Sequence, residues 1–236
     1  MWLAWQSPVT AADTITSARF TEPTTRYAHG VLGDNIEYGT LELTVIESSV
    51  DNSLPKKKQT VLTIPLPSDR VFEDLAPRLV DVDLDGTLEA MVVESSHQTG
   101  AQLAIYDARG EKIGATPHIG TRYRWLAPIG AADLDGDGFV EVAYIDRPHL
   151  AKTLRIWRFK NGALTEIATL PNLTNHRIGE DFITGGVRNC NTHPELIVVS
   201  ADWQQIVSIS YEREWTTNTV AEFTPADMKQ VLNCLN

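Results

Sequence analysis

The chain has 236 residues, 42% of them apolar and 22% charged, a length and balance that fit one domain with a real core and exclude wholesale disorder. A formal net charge of −11 argues against nucleic-acid binding, which needs a basic patch; the basic run Lys56-Lys57-Lys58 reads as a solvated loop. No stretch approaches the roughly 20 apolar residues that a membrane-spanning helix requires.

At the start, Trp2, Leu3, Ala4 and Trp5 precede the small residues Thr10, Ala11 and Ala12 and then Asp13, the pattern at the end of an export signal. Residues 1–13 therefore read as a leader remnant, with the native start upstream and the protein periplasmic or secreted, or else as a plain N-terminal tail. Period-two alternation then predicts strands at 15–20, 27–33, 41–46 and 60–66. A second group falls at 76–80, 88–93, 102–106 and 112–116, and a third at 129–132, 140–145, 153–159 and 163–170. Asn161-Gly162 is a hairpin turn within the third group. The last group is 182–187, 196–200, 206–211 and 217–223, after which Thr224 caps a short helix with Pro225 at its first position. One all-β domain over 14–223, with a tail over 224–236, is the expected organisation.

The strand groups are punctuated by acidic loops. In Asp133-Leu134-Asp135-Gly136-Asp137-Gly138-Phe139-Val140-Glu141, carboxylates fall at positions one, three, five and nine. Three carboxylates about 4 Å apart repel by roughly 4 kcal/mol per pair at an effective dielectric near 20, and a hard divalent cation with oxygen ligands removes that repulsion. Gly138 permits the turn and the Phe139 carbonyl supplies a backbone ligand. The loop Asp81-Val82-Asp83-Leu84-Asp85-Gly86-Thr87-Leu88-Glu89 aligns without a gap. Degenerate copies occur around Asp34, Gly39 and Glu42, with Ile36 and Tyr38 in place of the middle aspartates, and around Val187, Asn189, Asn191, Thr192 and Glu195. Spacings near 50 residues indicate a repeat architecture.

These segments resemble the FG-GAP or VCBS-type repeats of integrin alpha-subunit propellers and of many bacterial secreted proteins, over roughly residues 25–223. The resemblance implies a β-propeller with one four-stranded blade per repeat, four blades in all, or five if the N-terminal strand and the 60–66 region contribute more. It also implies Ca²⁺ held by Asp81, Asp83, Asp85, Thr87 and Glu89, and by Asp133, Asp135, Asp137, Phe139 and Glu141. The bacterial group has no established activity, and the calcium would be structural.

In a propeller the loops entering each inner strand, and those joining the second and third strands, share the face opposite the calcium loops. Here they carry Arg26, Tyr27, His29, Arg70, Arg124, Trp125, Arg147, His149, His176, Arg177 and Trp203. Arginine forks recognise anions and aromatic faces stack on sugars, so the expected ligand is an anionic oligosaccharide or a protein partner, bound by a monomer. The competing reading is a belt of interblade salt bridges. For an enzyme on acidic carbohydrate, a lyase or hydrolase, His29, His149 or His176 would be the general base, Glu73 or Asp181 its orienting partner, and Arg124 the counter-charge. A scaffold within a cell-envelope assembly is a third class. Cys190 and Cys234 fit export if they pair, and are otherwise two buried thiols.

Overall fold

The computed structural model describes residues 13–49, 56–190 and 193–235, so the leader reading of residues 1–12 and the Asn191 and Thr192 positions lie outside the described residues. Alternation builds the first layer. In β1 (Thr14–Thr24) and β2 (Glu37–Ser49), Ile15, Leu41, Leu43 and Val45 are buried, while Arg19 and Glu42 pair at 2.6 Å on the outer side. β3 (Lys56–Pro65) lines the other edge of β2 in unbroken register from Thr40↔Pro65 to Ser49↔Lys56.

The next repeat consists of β4 (Arg70–Phe72), β5 (Arg78–Val80), β6 (Glu89–Ser96), β7 (Gly100–Tyr106) and β8 (Lys112–Ala115). Every residue of β6 and β7 is buried, with apolar runs at 90–93 and 103–106 and with Glu94, Ser95 and Gln102 buried beside them. A third meander follows in β9 (Leu126–Ala132), β10 (Glu141–Asp146), β11 (Thr153–Lys160) and β12 (Ala163–Pro171). Between β11 and β12, Asn161 and Gly162 take φ of 52° and 75°, the two left-handed residues of a type I′ turn, and Lys160 pairs with Ala163. The last repeat holds β13 (Leu173–Thr174), β14 (Gly186–Arg188), β15 (Glu195–Ser200), β16 (Gln205–Tyr211) and β17 (Trp215–Glu222). Gly185 enters it with φ +105°; a Cβ there would lie 2.1 Å from the carbonyl oxygen of Ile197.

Among the described residues all strand pairings are antiparallel, and they form three sheets. The first layer and the second repeat share one sheet through β4, whose Phe72 pairs with Tyr38 of β2. The chain is thus all-β with one short helix, and the hydrogen-bonded sheets do not close on themselves. Side chains from the whole length meet in one cluster: Val31, Val82 and Met91, then Trp125, Tyr144 and Trp157, with Ile183 against them. Where the last repeat touches the first segment, Gly179 N–H donates to the Val31 carbonyl at 3.0 Å.

Several expected elements differ. Residues 27–33 form turns rather than an inner strand. The degenerate loop at Asp34 is not a nine-residue loop: β2 begins at Glu37 and takes Tyr38 through Glu42 into the sheet, because positions three and five hold Ile36 and Tyr38, and the apolar alternation runs on upstream. The lysine run opens β3, where Lys58 faces Glu47 at 3.3 Å. The 182–187 strand shrinks to β14, and β13 and β4 are short rungs that alternation over so few residues does not reveal.

Helix α1 (Pro225–Leu232) starts where expected: Thr224 Oγ1 accepts from Asp227 N–H at 3.1 Å. Its Met228 and Val231 pack on Ile197, Val199 and Ile206. Cys190 and Cys234 form a disulfide with Cα atoms 5.6 Å apart, a bond characteristic of oxidising, extracellular-type compartments. Among the described residues no helix is long and apolar enough to cross a membrane.

Candidate functional site

The acidic loop of the second repeat joins β5 to β6. Its aspartates curl inward by accepting backbone N–H groups: Asp85 and Gly86 donate to Asp81, and Thr87 donates to Asp85 Oδ1 at 2.7 Å. Glu89 Oε2 accepts from Val82 N–H at 3.0 Å and fixes the start of the turn. Carboxylate oxygens of Asp81, Asp83 and Asp85 all lie within 4.8 Å of one another. Burial, with the three aspartate charges added to it, pushes Glu89 up to about 7. No side chain among the described residues donates to Asp83 Oδ2 or Asp85 Oδ2 or forms an ion pair with either. A converging all-oxygen set with unclaimed lone pairs fits a hard divalent cation.

The loop between β9 and β10 repeats this backbone pattern. Gly136 and Gly138 donate to the two oxygens of Asp133, Phe139 donates to Asp137 Oδ1 at 3.0 Å, and Leu134 donates to Glu141 Oε2 at 2.9 Å. Here the free oxygens are taken. Arg158, across from Glu141 on β11, donates from Nε to Glu141 Oε1 at 2.8 Å and from Nη2 to Asp135 Oδ2, while Nη1 forms an ion pair with Asp137 Oδ2 at 3.0 Å. Each of the eight oxygens of Asp133, Asp135, Asp137 and Glu141 thus has one polar contact within the protein, seven of them hydrogen bonds. Ligand oxygens of Asp133, Asp135 and Glu141 still lie within 4.8 Å of one another, so this loop too has a carboxylate cluster that could hold a cation, with the Arg158 guanidinium now among its oxygens.

A cleft of about 290 Å³ lies among the segments that enter the repeats. His29 comes from the turns after β1, Tyr123, Arg124 and Trp125 from the approach to β9, and Arg147 and His149 from the turn after β10. Leu150 and Ile178 are its exposed apolar margin. Glu73, fully buried behind His29, faces Nδ1 through Oε1 at 2.5 Å and is held by Ser95 Oγ on its other oxygen. Burial pushes Glu73 above the usual carboxylate range against the pull of His29. The backbone carbonyl of Glu73 accepts from Trp125 Nε1 at 2.8 Å, so the indole is committed and only 2% exposed.

The second histidine pair has a fixed proton order. His176 Nε2 lies 3.0 Å from the Glu180 carbonyl, an acceptor only, so this nitrogen carries the proton. A neutral His176 then accepts at Nδ1 from His149 Nε2, 2.9 Å away. His149 is left with its Nδ1 lone pair. Burial lowers both, His149 to about 4, with the charges of His176 and His29 adding to the effect. Because His149 is depressed from 6.5, the unfolded chain binds more protons between pH 6.5 and 4, and stability is lost as pH falls through that window. The difference between wild type and H149N in thermal unfolding, which cancels the opposite contribution of raised carboxylates such as Glu89, should show a loss of about 1–2 kcal/mol over this range, discounted for partial exposure. An unchanged profile in H149N would remove this group as the cause.

Of the residues expected on this face, the cleft gathers His29, Arg124, Trp125, Arg147 and His149, with His176 directly behind. Arg124 has no ion-pair partner among the described residues, whereas Arg147 is held by Asp146 at 2.7 and 3.1 Å. Tyr27 is fully buried beneath, accepting from Tyr123 N–H at 2.8 Å. The others are elsewhere. Arg26 binds the Arg70 carbonyl, Arg70 lies 3.7 Å from Glu94, and Arg177 covers Trp203 at 3.9 Å. Ser95 falls in a loop that the sequence assigns to this face, whereas nothing in the local sequence of Leu150 and Ile178 sets them apart as site residues. Tyr123, ringed by Arg122, His29 and Tyr27, lies in the segment entering the third strand group that the sequence assigns to this face.

No curated protein and no solved structure matches the chain. Residues 81–144, a segment spanning both acidic loops, match the family model of the FG-GAP-like repeat.

Proposed function

We propose that this chain is a calcium-stabilised β-propeller of FG-GAP-type repeats that acts, as an exported periplasmic or secreted monomer, as a binding module. Four blades are the reading that the repeat spacing supports, with the β1–β3 layer as the first; the contact between Gly179 and Val31 is what a ring would need where its last and first blades meet. Calcium belongs in the 81–89 loop, on Asp81, Asp83, Asp85, Glu89 and the Thr87 carbonyl, where it would cancel carboxylate repulsion and fix the turn. The ligand belongs in the cleft. The observation that carries this is an arginine without an ion-pair partner, Arg124, beside two oriented histidines in a chain of net charge −11. A carboxylate or sulfate of an acidic oligosaccharide, or an acidic group of a protein partner, fits that donor set.

The test is a panel of acidic oligosaccharides scored for binding by wild type and R124A. A charge-assisted hydrogen bond contributes about 1.5–3 kcal/mol, so R124A should bind about tenfold or more weakly, with its melting temperature unchanged. Equal binding, or a large melting loss, would return Arg124 to a structural role. The Glu73–His29 bond favours a second reading, catalysis on an acidic carbohydrate with His29 as base, and turnover of a uronic-acid polymer abolished by H29A would establish it.

A further inference from the structure

We propose that Arg158 is the resident cation of the 133–141 loop, and that this loop takes up a divalent cation only when the guanidinium is removed; the inference rests on reading the 81–89 loop as a cation cage. The two loops align without a gap and share all four carboxylate positions, and several of their turn-forming oxygens are used alike. Position five accepts from position seven, and position nine accepts from position two, in both. They differ in the oxygens left over. In the 81–89 loop these are Asp83 Oδ2, Asp85 Oδ2 and Glu89 Oε1, the last touched only by Thr87 Oγ1 at 3.5 Å. In the 133–141 loop the equivalents are Asp135 Oδ2, Asp137 Oδ2 and Glu141 Oε1, and each is bound by a different nitrogen of Arg158. The guanidinium therefore takes up those oxygens of the 133–141 loop whose counterparts are left over in the sister loop.

Strand register explains the difference. Arg158 is the cross-strand partner of Glu141. The β6–β7 pairing runs to Ala90↔Tyr106, so one step further Glu89 faces Asp107, and both line the cavity over the 81–89 loop. One position thus holds a cation in one repeat and an anion in the other. The rigid three-nitrogen fork satisfies three carboxylates at once, as the point charge of a lysine would not. Lys160, stacked 4.1 Å over Phe139, adds a second positive charge to the same loop. A divalent ion would have to displace Arg158 and break three charge-assisted contacts, or share the cage with it against direct repulsion.

The experiment is calorimetric titration of Ca²⁺ into wild type, R158M and R158K, with thermal unfolding in chelator alongside. Methionine keeps an apolar stem without the charge, and R158Q serves in its place if R158M does not fold. Expected are one site in wild type and R158K and two in the neutral variant, the second lost again when D135N is added. The neutral variant should also melt lower in chelator and recover with Ca²⁺ more than wild type does. Two sites in wild type, or no gain in the neutral variant, would overturn the role of Arg158 and leave the 81–89 cage standing if wild type still binds. No site in wild type but one in the neutral variant would support Arg158 and overturn the calcium reading of the 81–89 loop. No binding by either would overturn both.

Discussion

Replacing Glu94 by alanine should destabilise the chain by about 3–5 kcal/mol, the range for breaking a buried ion pair. Glu94 lies inside β6 with no exposed surface. Its carboxylate accepts from Tyr106 Oη at 2.6 Å, Lys112 Nζ at 2.7 Å and Gln102 Nε2 at 2.8 Å, with Arg70 Nη1 at 3.7 Å. The side chains on which it acts come from β4, β7 and β8, so one carboxylate ties four strands of the second repeat together. Alanine leaves a cationic head, a phenol and an amide facing an apolar slab, and two of these are too buried to recover water in full. For a chain of this length the loss corresponds to a fall in melting temperature of about 10 °C. E94Q keeps one acceptor and should cost about half as much. A change under about 1 kcal/mol in E94A would show that Lys112 and Arg70 swing out to solvent without penalty.

The second large effect is expected from the disulfide. Serine at both Cys190 and Cys234 opens a closure spanning 44 residues, worth about 4 kcal/mol in the chain-entropy description. The damage should be local as well as global. α1 is held to the last repeat by the disulfide, by Met228 and Val231 in their apolar seat, and by Arg188 Nη1, which donates to the Val231 carbonyl at 3.1 Å. Limited proteolysis of the double serine variant should therefore cut near α1 before cutting β9–β12, and wild type treated with reductant should behave the same way. Simultaneous cutting throughout would mean that the disulfide acts only through the unfolded chain.

How much of this was legible beforehand depends on the range of the interaction. Strands β6, β7, β10, β11, β15 and β16 were visible because apolar alternation or a buried run marks each over six or more residues. The turn at Asn161-Gly162 and the cap at Thr224 were visible because both are local backbone chemistry. The two acidic loops announced themselves by spacing alone. Asp34 misled because a glycine and a glutamate at matching offsets imitate a loop motif, while Leu41, Leu43 and Val45 carry the strand through it. Glu73 was legible as a partner for a histidine, but not which one. Arg158 was not legible at all. Its role depends on standing opposite Glu141, and that register follows from the sheet rather than from any motif around Arg158. Trp125 shows the converse limit: its residue type suggested a stacking surface, while its burial and its bond to the Glu73 carbonyl make it a wall.

Every rung of the three sheets joins strands that are adjacent or next but one in sequence. The entropy of closing a chain segment grows with its length, so each backbone ladder here is completed at the low cost of a short closure. Order between distant parts of the chain is carried instead by side chains, such as the cluster that brings Val31, Trp125 and Ile183 together. The hydrogen-bonded structure is thus assembled from meanders of neighbouring strands, whose closures are shorter than those that the shared interior requires. Ease of closure and final rigidity are consequently set by different residues: the former by turns such as Asn161-Gly162, the latter by the shared interior.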